Sequence, residues 1–253
     1  MIPSLNKEEV FTLASEKRDS PPIILIHGAS SCHETWIEQW HFLRNTNHVI
    51  IPDLPGHNNS CGEGFNRIES YAEAVHELIK KLSIGKFVLA GHSMGGAIAQ
   101  LFALTHPQML KGLILVSTGA RLRVAQSIFK AIDENFSSFA ELSANFSVFP
   151  AADERIKKRI VELIQKCKPA VARKDFEACD NFDIMDRVSG IKSPTLIICG
   201  DMDMVTPLKY SQYLHGKIEN ASLEIIKDAG HIVMLEKPGE VNRAIANFLK
   251  NIG

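Results

Sequence analysis

Residues Phe87 to Leu104 read FVLAGHSMGGAIAQLFAL: four apolar residues, a serine set among glycines, then a second apolar run. Four such residues suit a strand buried on both faces, and the run from Gly95 to Thr105 has the spacing of a helix. Between them stands Gly91-His92-Ser93-Met94-Gly95, where small residues occupy the positions at which a tight strand-to-helix turn admits no side chain. Ser93 is left at the tip of that turn. A Gly-x-Ser-x-Gly pattern also arises by chance, so its weight depends on the rest of the chain.

On either side, short β-branched runs alternate with longer stretches of helical periodicity. The strands expected are Ile23 to Ile26, Val49 to Pro52, Phe87 to Ala90, Leu113 to Ser117, Thr195 to Cys199 and Leu223 to Ile226. Helices are expected over Thr35 to Leu43, Ser70 to Leu82, Gly95 to Thr105, Leu208 to Leu214 and Pro238 to Asn251. Such alternation predicts an α/β fold, with a mainly parallel central sheet covered by helices on both faces. From about Arg121 to Gly190 the rhythm breaks into helix-like pattern rich in charge and phenylalanine. That stretch reads as a helical cap, 121–190, inserted in a core made of 1–120 and 191–253. Ahead of Ile23 there is room for one strand, around Val10 to Ala14.

Composition narrows the function. At 253 residues the chain suits one domain with an insertion, and its net charge of -1 offers no excess of cations for nucleic acid. The N-terminal stretch carries charges where a signal peptide needs an apolar run, and no segment approaches a membrane span, so a cytoplasmic location is expected. Five cysteines without a CxxC pair suggest reduced thiols, with neither a disulfide framework nor a zinc site.

A serine hydroxyl is a weak nucleophile, so the chemistry requires a general base and a carboxylate to orient it. His231, in Asp228-Ala229-Gly230-His231, follows the last strand and belongs on a loop at the C-terminal edge of the sheet, where open α/β sheets place their sites. The acid has to come from Gly200-Asp201-Met202-Asp203-Met204-Val205-Thr206-Pro207. Its two aspartates lie two residues apart, and strand parity does not separate them. An oxyanion also needs two donors, and the Met94 N–H, following the serine into a helix N-terminus, supplies one.

With these residues in view the chain resembles the α/β-hydrolase superfamily, in the branch of capped carboxylesterases, lactonases and C-C bond hydrolases. The matching pieces are Ile26-His27-Gly28-Ala29, Pro52-Asp53-Leu54-Pro55-Gly56-His57, the Gly91 to Gly96 turn, the Gly200 to Pro207 loop, and Gly230-His231 followed by Glu236-Lys237-Pro238. The resemblance covers nearly the whole chain. It implies the α/β-hydrolase fold, the acid at Asp203, with Asp201 as a loop residue, and the second oxyanion N–H at Ala29. His27, His57, His92 and Asp53 are expected to organise turns rather than to transfer protons. The chain departs from the family at His57-Asn58-Asn59-Ser60-Cys61, where asparagine replaces glycine in a turn; asparagine tolerates left-handed backbone.

The expected activity is hydrolysis of a small-molecule carboxylic ester through an acyl-enzyme, with Ser93, Asp203 and His231 catalytic and no cofactor or metal. Phe129, Ile132, Phe136 and Phe139 fit one helical stripe, and Phe129, Phe136 and Phe139 are expected to contribute an apolar substrate pocket. Arg121, Arg123 and Lys130 are candidates for a substrate carboxylate, weighed against a solvated helix face. Cys32 is read as a buried, inert thiol. A lactonase, an acyltransferase or a C-C bond hydrolase would use the same triad, and a non-catalytic ligand-binding protein would carry a broken one. Dehalogenase and epoxide hydrolase relatives have aspartate in place of Ser93. The protein is expected to be a monomer or a homodimer.

Overall fold

A computed structural model describes residues 10–16 and 20–252. The charged stretch 1–9, in which no signal sequence was expected, lies outside these residues. Seven strands form one sheet in the order β1-β3-β2-β4-β5-β6-β7: β1 Thr12–Ala14, β2 Ile23–Ile26, β3 Val49–Pro52, β4 Phe87–His92, β5 Leu110–Val116, β6 Thr195–Gly200 and β7 Ala221–Ile226. Every neighbouring pair runs parallel except β1 with β3, where Leu13 faces Ile51 in an antiparallel ladder.

Strand periodicity divides the core in two, because successive side chains point to opposite faces. Ile24, Ile26, Leu89, Leu113 and Leu115 pack on one face against helices α2 Ile68–Lys81 and α3 Met94–Thr105, together with Leu214 of α8 Leu208–Lys217. Ile23, Leu25, Val88, Ala90, Ile114 and Val116 pack on the other against Trp40 and Leu43 of α1 Ile37–Leu43 and Val241 and Ile245 of α10 Pro238–Ile252. Both faces are covered, as the apolar runs require.

The inner strands β2, β3, β4 and β6 are buried along their whole length, whereas β7 shows largely alternating exposure and leaves Ile225 43% exposed. Its position at the sheet edge explains the difference. Observed boundaries differ from the expected ones by up to three residues: β5 begins three residues earlier, β1 begins two residues later, and His33–Trp36 forms a 3-10 turn where α1 was expected to begin.

Four helices stand between β5 and β6: α4 Gln126–Glu134, α5 Phe136–Ser147, α6 Glu154–Gln165 and α7 Pro169–Asp180. The single stripe expected through Phe129, Ile132, Phe136 and Phe139 does not exist. Asn135 takes extended backbone (φ -158°, ψ 94°) and its side chain accepts the Ser138 N–H at 3.1 Å, so α4 ends and α5 begins at that residue. An N-cap bond of this kind competes with helix continuation, and here it separates α4 from α5. A short helix, α9 Val233–Glu236, completes the fold. Among the described residues no helix is long and apolar enough to cross a membrane.

Candidate active site

Parallel strands bring their C-terminal ends to one edge of the sheet, and the loops after β2, β4, β6 and β7 carry Ala29, Ser93, Asp203 and His231 respectively. Ala29, Ser93 and His231 line one cavity of about 590 Å³, which also takes in α4, α5, α6 and α7 side chains.

Ser93 has φ 53° and ψ -116°, a conformation that side-chain-bearing residues rarely adopt. The turn is held by its neighbours: the Ser93 N–H donates to the Val116 carbonyl at 2.9 Å, and the Ser93 carbonyl accepts from Gly96 N–H and the Thr118 hydroxyl. The two glycines of the motif allow the crowding. A Cβ on Gly91 would stand 2.0 Å from the Gly95 carbonyl oxygen, and one on Gly95 would stand 2.4 Å from that of Ile26. α3 therefore starts directly at the serine. The Met94 N–H is among the first-turn amides that a helix leaves without an internal acceptor.

Asp203 is buried, and its carboxylate is fully engaged. Oδ1 accepts the N–H groups of Val205 and Thr206, both at 2.8 Å, while Oδ2 accepts the Thr206 hydroxyl at 2.8 Å and His231 Nδ1 at 2.9 Å. Burial disfavours the charge on Asp203, but the His231 ring and the bonds from His231 and Thr206 outweigh it and hold the carboxyl below its ordinary range. An acceptor at Nδ1 fixes the proton of a neutral His231 there and leaves its Nε2 able to accept one. Asp201 is exposed, and its N–H continues the pairing with β7 through the Ile226 carbonyl. The ambiguity between the two aspartates is thus a matter of side-chain direction at the strand exit.

His92 packs its ring on His231, with centroids 4.8 Å apart, and its Nε2–H donates to the His231 carbonyl at 3.1 Å. Burial and the adjacent His231 ring push its pKa down to about 3. It remains neutral, so it adds no positive charge beside His231. His27 accepts the Leu54 N–H at Nε2 and donates from Nδ1 to the Gly28 carbonyl; burial, with His57 nearby, lowers it to about 4. Asp53 organises the following turn by accepting from His33 and from Asn58 and Asn59, and Asn58 takes a φ of 42°. The turn survives its substituted asparagines.

Of the phenylalanines expected at the pocket, Phe139 lines the cavity and Phe129 and Phe136 do not. The break at Asn135 is the reason: Phe129 lies beneath the Arg173 guanidinium at 5.4 Å, and Phe136 packs against its helical neighbours. Phe146 and Phe176 line the cavity instead. Arg121 and Arg123 face Asp183 at 3.7 and 3.9 Å, and Lys130 faces Glu134 at 3.7 Å, so each of the three cations has an acidic neighbour. Cys32 is fully buried and does not line the cavity; burial pushes its thiol up to about 12.

Among the described residues three groups have metal-ligand composition: Cys32 with His33 and Asp53, His57 with Cys167 and Asp175, and exposed Glu73 and Glu77 with His76. In the first two the carboxylates already serve N–H and O–H donors, and burial pushes the thiols toward the protonated form, which suits a hydrogen-bonded core better than a cation.

Two acids have contacts that the sequence did not reveal: half-buried Glu236, quoted above only as part of the resemblance, and fully buried Asp175. Glu236 accepts backbone N–H groups from Gly230 and Phe149. Asp175 accepts from Ser30, His57 and Tyr71. The signal for Asp175 was present, since it lies in the apolar stripe Val171, Ala172, Asp175, Ala178, Cys179 of α7.

Residues 23–244 match the family model described as the alpha/beta hydrolase family. The monoacylglycerol lipase abhd6-B of Xenopus laevis is 23% identical over 271 residues, covering 98% of this chain and 80% of the relative. A thermophilic esterase of known structure is 33% identical, with a TM-score of 0.84 over 96% of this chain and 94% of its own. The enol-lactonase of Burkholderia xenovorans LB400 shares the fold, with a TM-score of 0.91 at 23% identity over 97% and 98% of the two chains. With the strand order, the serine turn and the acid-histidine pair already in place, the match over residues 23–244 completes the case: this chain belongs to the alpha/beta hydrolase family.

Proposed function

We propose that this protein is a serine hydrolase that cleaves an uncharged carboxylic ester through an acyl-enzyme, with a Ser93-His231-Asp203 triad. The observation that carries this reading is the buried 2.9 Å pair of Asp203 Oδ2 and His231 Nδ1 at the wall of the cavity that Ser93 enters from its strained turn. His231 Nε2 takes the Ser93 hydroxyl proton as Oγ attacks the ester carbonyl. The oxyanion is held by the N–H groups of Ala29 and Met94, and the proton on Nε2 passes to the departing alcohol. Water then enters by the same route and releases the acid.

Helices α4 to α7, in residues 121–190, serve as a cap over a core of 1–120 and 191–253. Apolar side chains of that cap, with Phe139, Phe146 and Phe176 among them, form the acyl or alcohol pocket. The reaction needs no cofactor, and the protein is taken to work in the cytoplasm. Similarity to proteins named as a monoacylglycerol lipase and an esterase supports the ester as substrate.

The test is hydrolysis of p-nitrophenyl esters from acetate to decanoate by wild type and Ser93→Ala, with fluorophosphonate labelling alongside. Turnover and labelling that both vanish in Ser93→Ala are expected. Labelling without turnover would move the substrate to lactones or C-C bonds, and neither in folded protein would sink the hydrolase reading.

A further inference from the structure

Asp175 is the only acid in the buried stripe of α7, and it is completely buried. Its Oδ2 accepts the Ser30 N–H at 2.9 Å and His57 Nε2 at 2.8 Å, while Oδ1 accepts the Tyr71 hydroxyl at 2.6 Å. Ser30, His57 and Tyr71 are themselves buried, and they come from three separate parts of the core: the loop after β2, the turn after β3, and α2. Burial opposes the charged form of His57, and the Asp175 carboxylate outweighs it, leaving the imidazole above its ordinary range.

Ser30 directly follows Ala29 and holds a left-handed backbone, φ 53°. Nothing in a serine favours that conformation, so something outside the loop has to hold it. The Asp175 bond to its N–H does so from one side. From the other, His57 packs on His27 with ring centroids 4.8 Å apart, and His27 donates to the Gly28 carbonyl. The residues on both sides of Ala29 are therefore tied to one carboxylate.

We propose that Asp175 is a positioning residue for the oxyanion site: from the inserted helix α7 it holds the Gly28–Ser30 loop so that the Ala29 N–H points at the developing charge. This inference rests on the hydrolase reading above. Three donors converge on Asp175, and a carboxylate is the one side-chain group of its size that accepts from all of them. An asparagine offers a single acceptor oxygen and turns an NH₂ toward a donor.

The test is Asp175→Asn, assayed beside wild type with p-nitrophenyl butyrate and with an aryl trifluoromethyl ketone, whose hemiketal oxyanion occupies the same hole. Because a misplaced catalytic group costs on the order of 10²-fold, kcat should fall by about that factor while KM stays within about twofold. Affinity for the ketone should fall in parallel with kcat/KM. A folded Asp175→Asn with wild-type kcat, or one whose loss lies in KM alone, would overturn the proposal while leaving the hydrolase reading intact. Wild type that neither turns over the ester nor takes a fluorophosphonate would overturn both. If Asp175→Asn does not fold, His57→Phe removes the Nε2–H donor, one arm of the clamp, and an unchanged kcat in that variant would be equally decisive against the proposal.

Discussion

Glu236 receives the Gly230 N–H on both carboxylate oxygens, each at 3.0 Å, and Oε2 also receives the Phe149 N–H at 2.7 Å. The same junction is closed by His231, whose N–H donates to the Ser147 carbonyl at 2.6 Å. The loop that carries the proposed base is thereby joined to the C-terminal end of α5. Glu236→Ala would leave two N–H groups without their acceptor, and a lost acceptor of this kind costs on the order of 2 kcal/mol. Thermal melts should show that loss, and kcat should drop by about tenfold as His231 loosens.

The catalytic assignments predict a graded series. Ser93→Ala and His231→Ala should each lower kcat on the order of 10⁶-fold, and Asp203→Asn on the order of 10⁴-fold by favouring the wrong histidine tautomer. Asp201→Asn, at an exposed side chain, should change kcat by less than about threefold. A damaging Asp201→Asn with a mild Asp203→Asn would reverse the assignment of the acid.

Two acids near the site should respond to pH with opposite signs. The folded-state pKa of Asp203 is lowered, so its contribution to stability is present above the unfolded value and is lost as pH falls through the folded one. Burial raises Glu236 despite the N–H groups it accepts, so its ionisation weakens the fold as pH rises through its unfolded and then its folded pKa. Melting temperatures of wild type and Asp203→Asn should accordingly converge on acidification, whereas Glu236→Gln should remove a decline that wild type shows on leaving the acidic range.

The cavity wall predicts which aromatic sets chain length. Phe176→Ala should enlarge the cavity and shift the optimum among p-nitrophenyl esters to longer acyl groups. Phe129→Ala, which removes a ring lying under Arg173 and outside the cavity, should leave that optimum unchanged.

Crowding at the serine turn can be tested through stability alone. In Gly91→Ala the new Cβ would meet backbone atoms of Gly95, which have no freedom to rotate away. Overpacking typically costs about 1–3 kcal/mol and more against rigid backbone, so soluble yield and melting temperature should both fall. Unchanged melting would show that the turn has slack that the close approach denies.

The sequence by itself determined the sheet and the order of the chemical groups along it. Strands such as β2 and β3 are fully buried apolar runs between turn residues, so periodicity and length located them to the residue. The placement of Ser93 and His231 at the C-terminal edge of the sheet was legible for the same reason, since Ser93 directly follows β4 and His231 lies on the loop after β7. Local pattern also carried the Asn58 turn, because left-handed backbone is a property of one residue and its neighbours. Only the tertiary structure decided the break at Asn135 and, with it, which phenylalanines reach the cavity, because a cap bond and a continuing helix are alternatives that the same apolar spacing permits. It also decided the acid contacts that span long stretches of chain, from Asp175 to Ser30 across 145 residues and from Glu236 to Phe149 across 87. The worth of Asp175 lies in donors brought from distant elements, and its own sequence neighbourhood holds none of them.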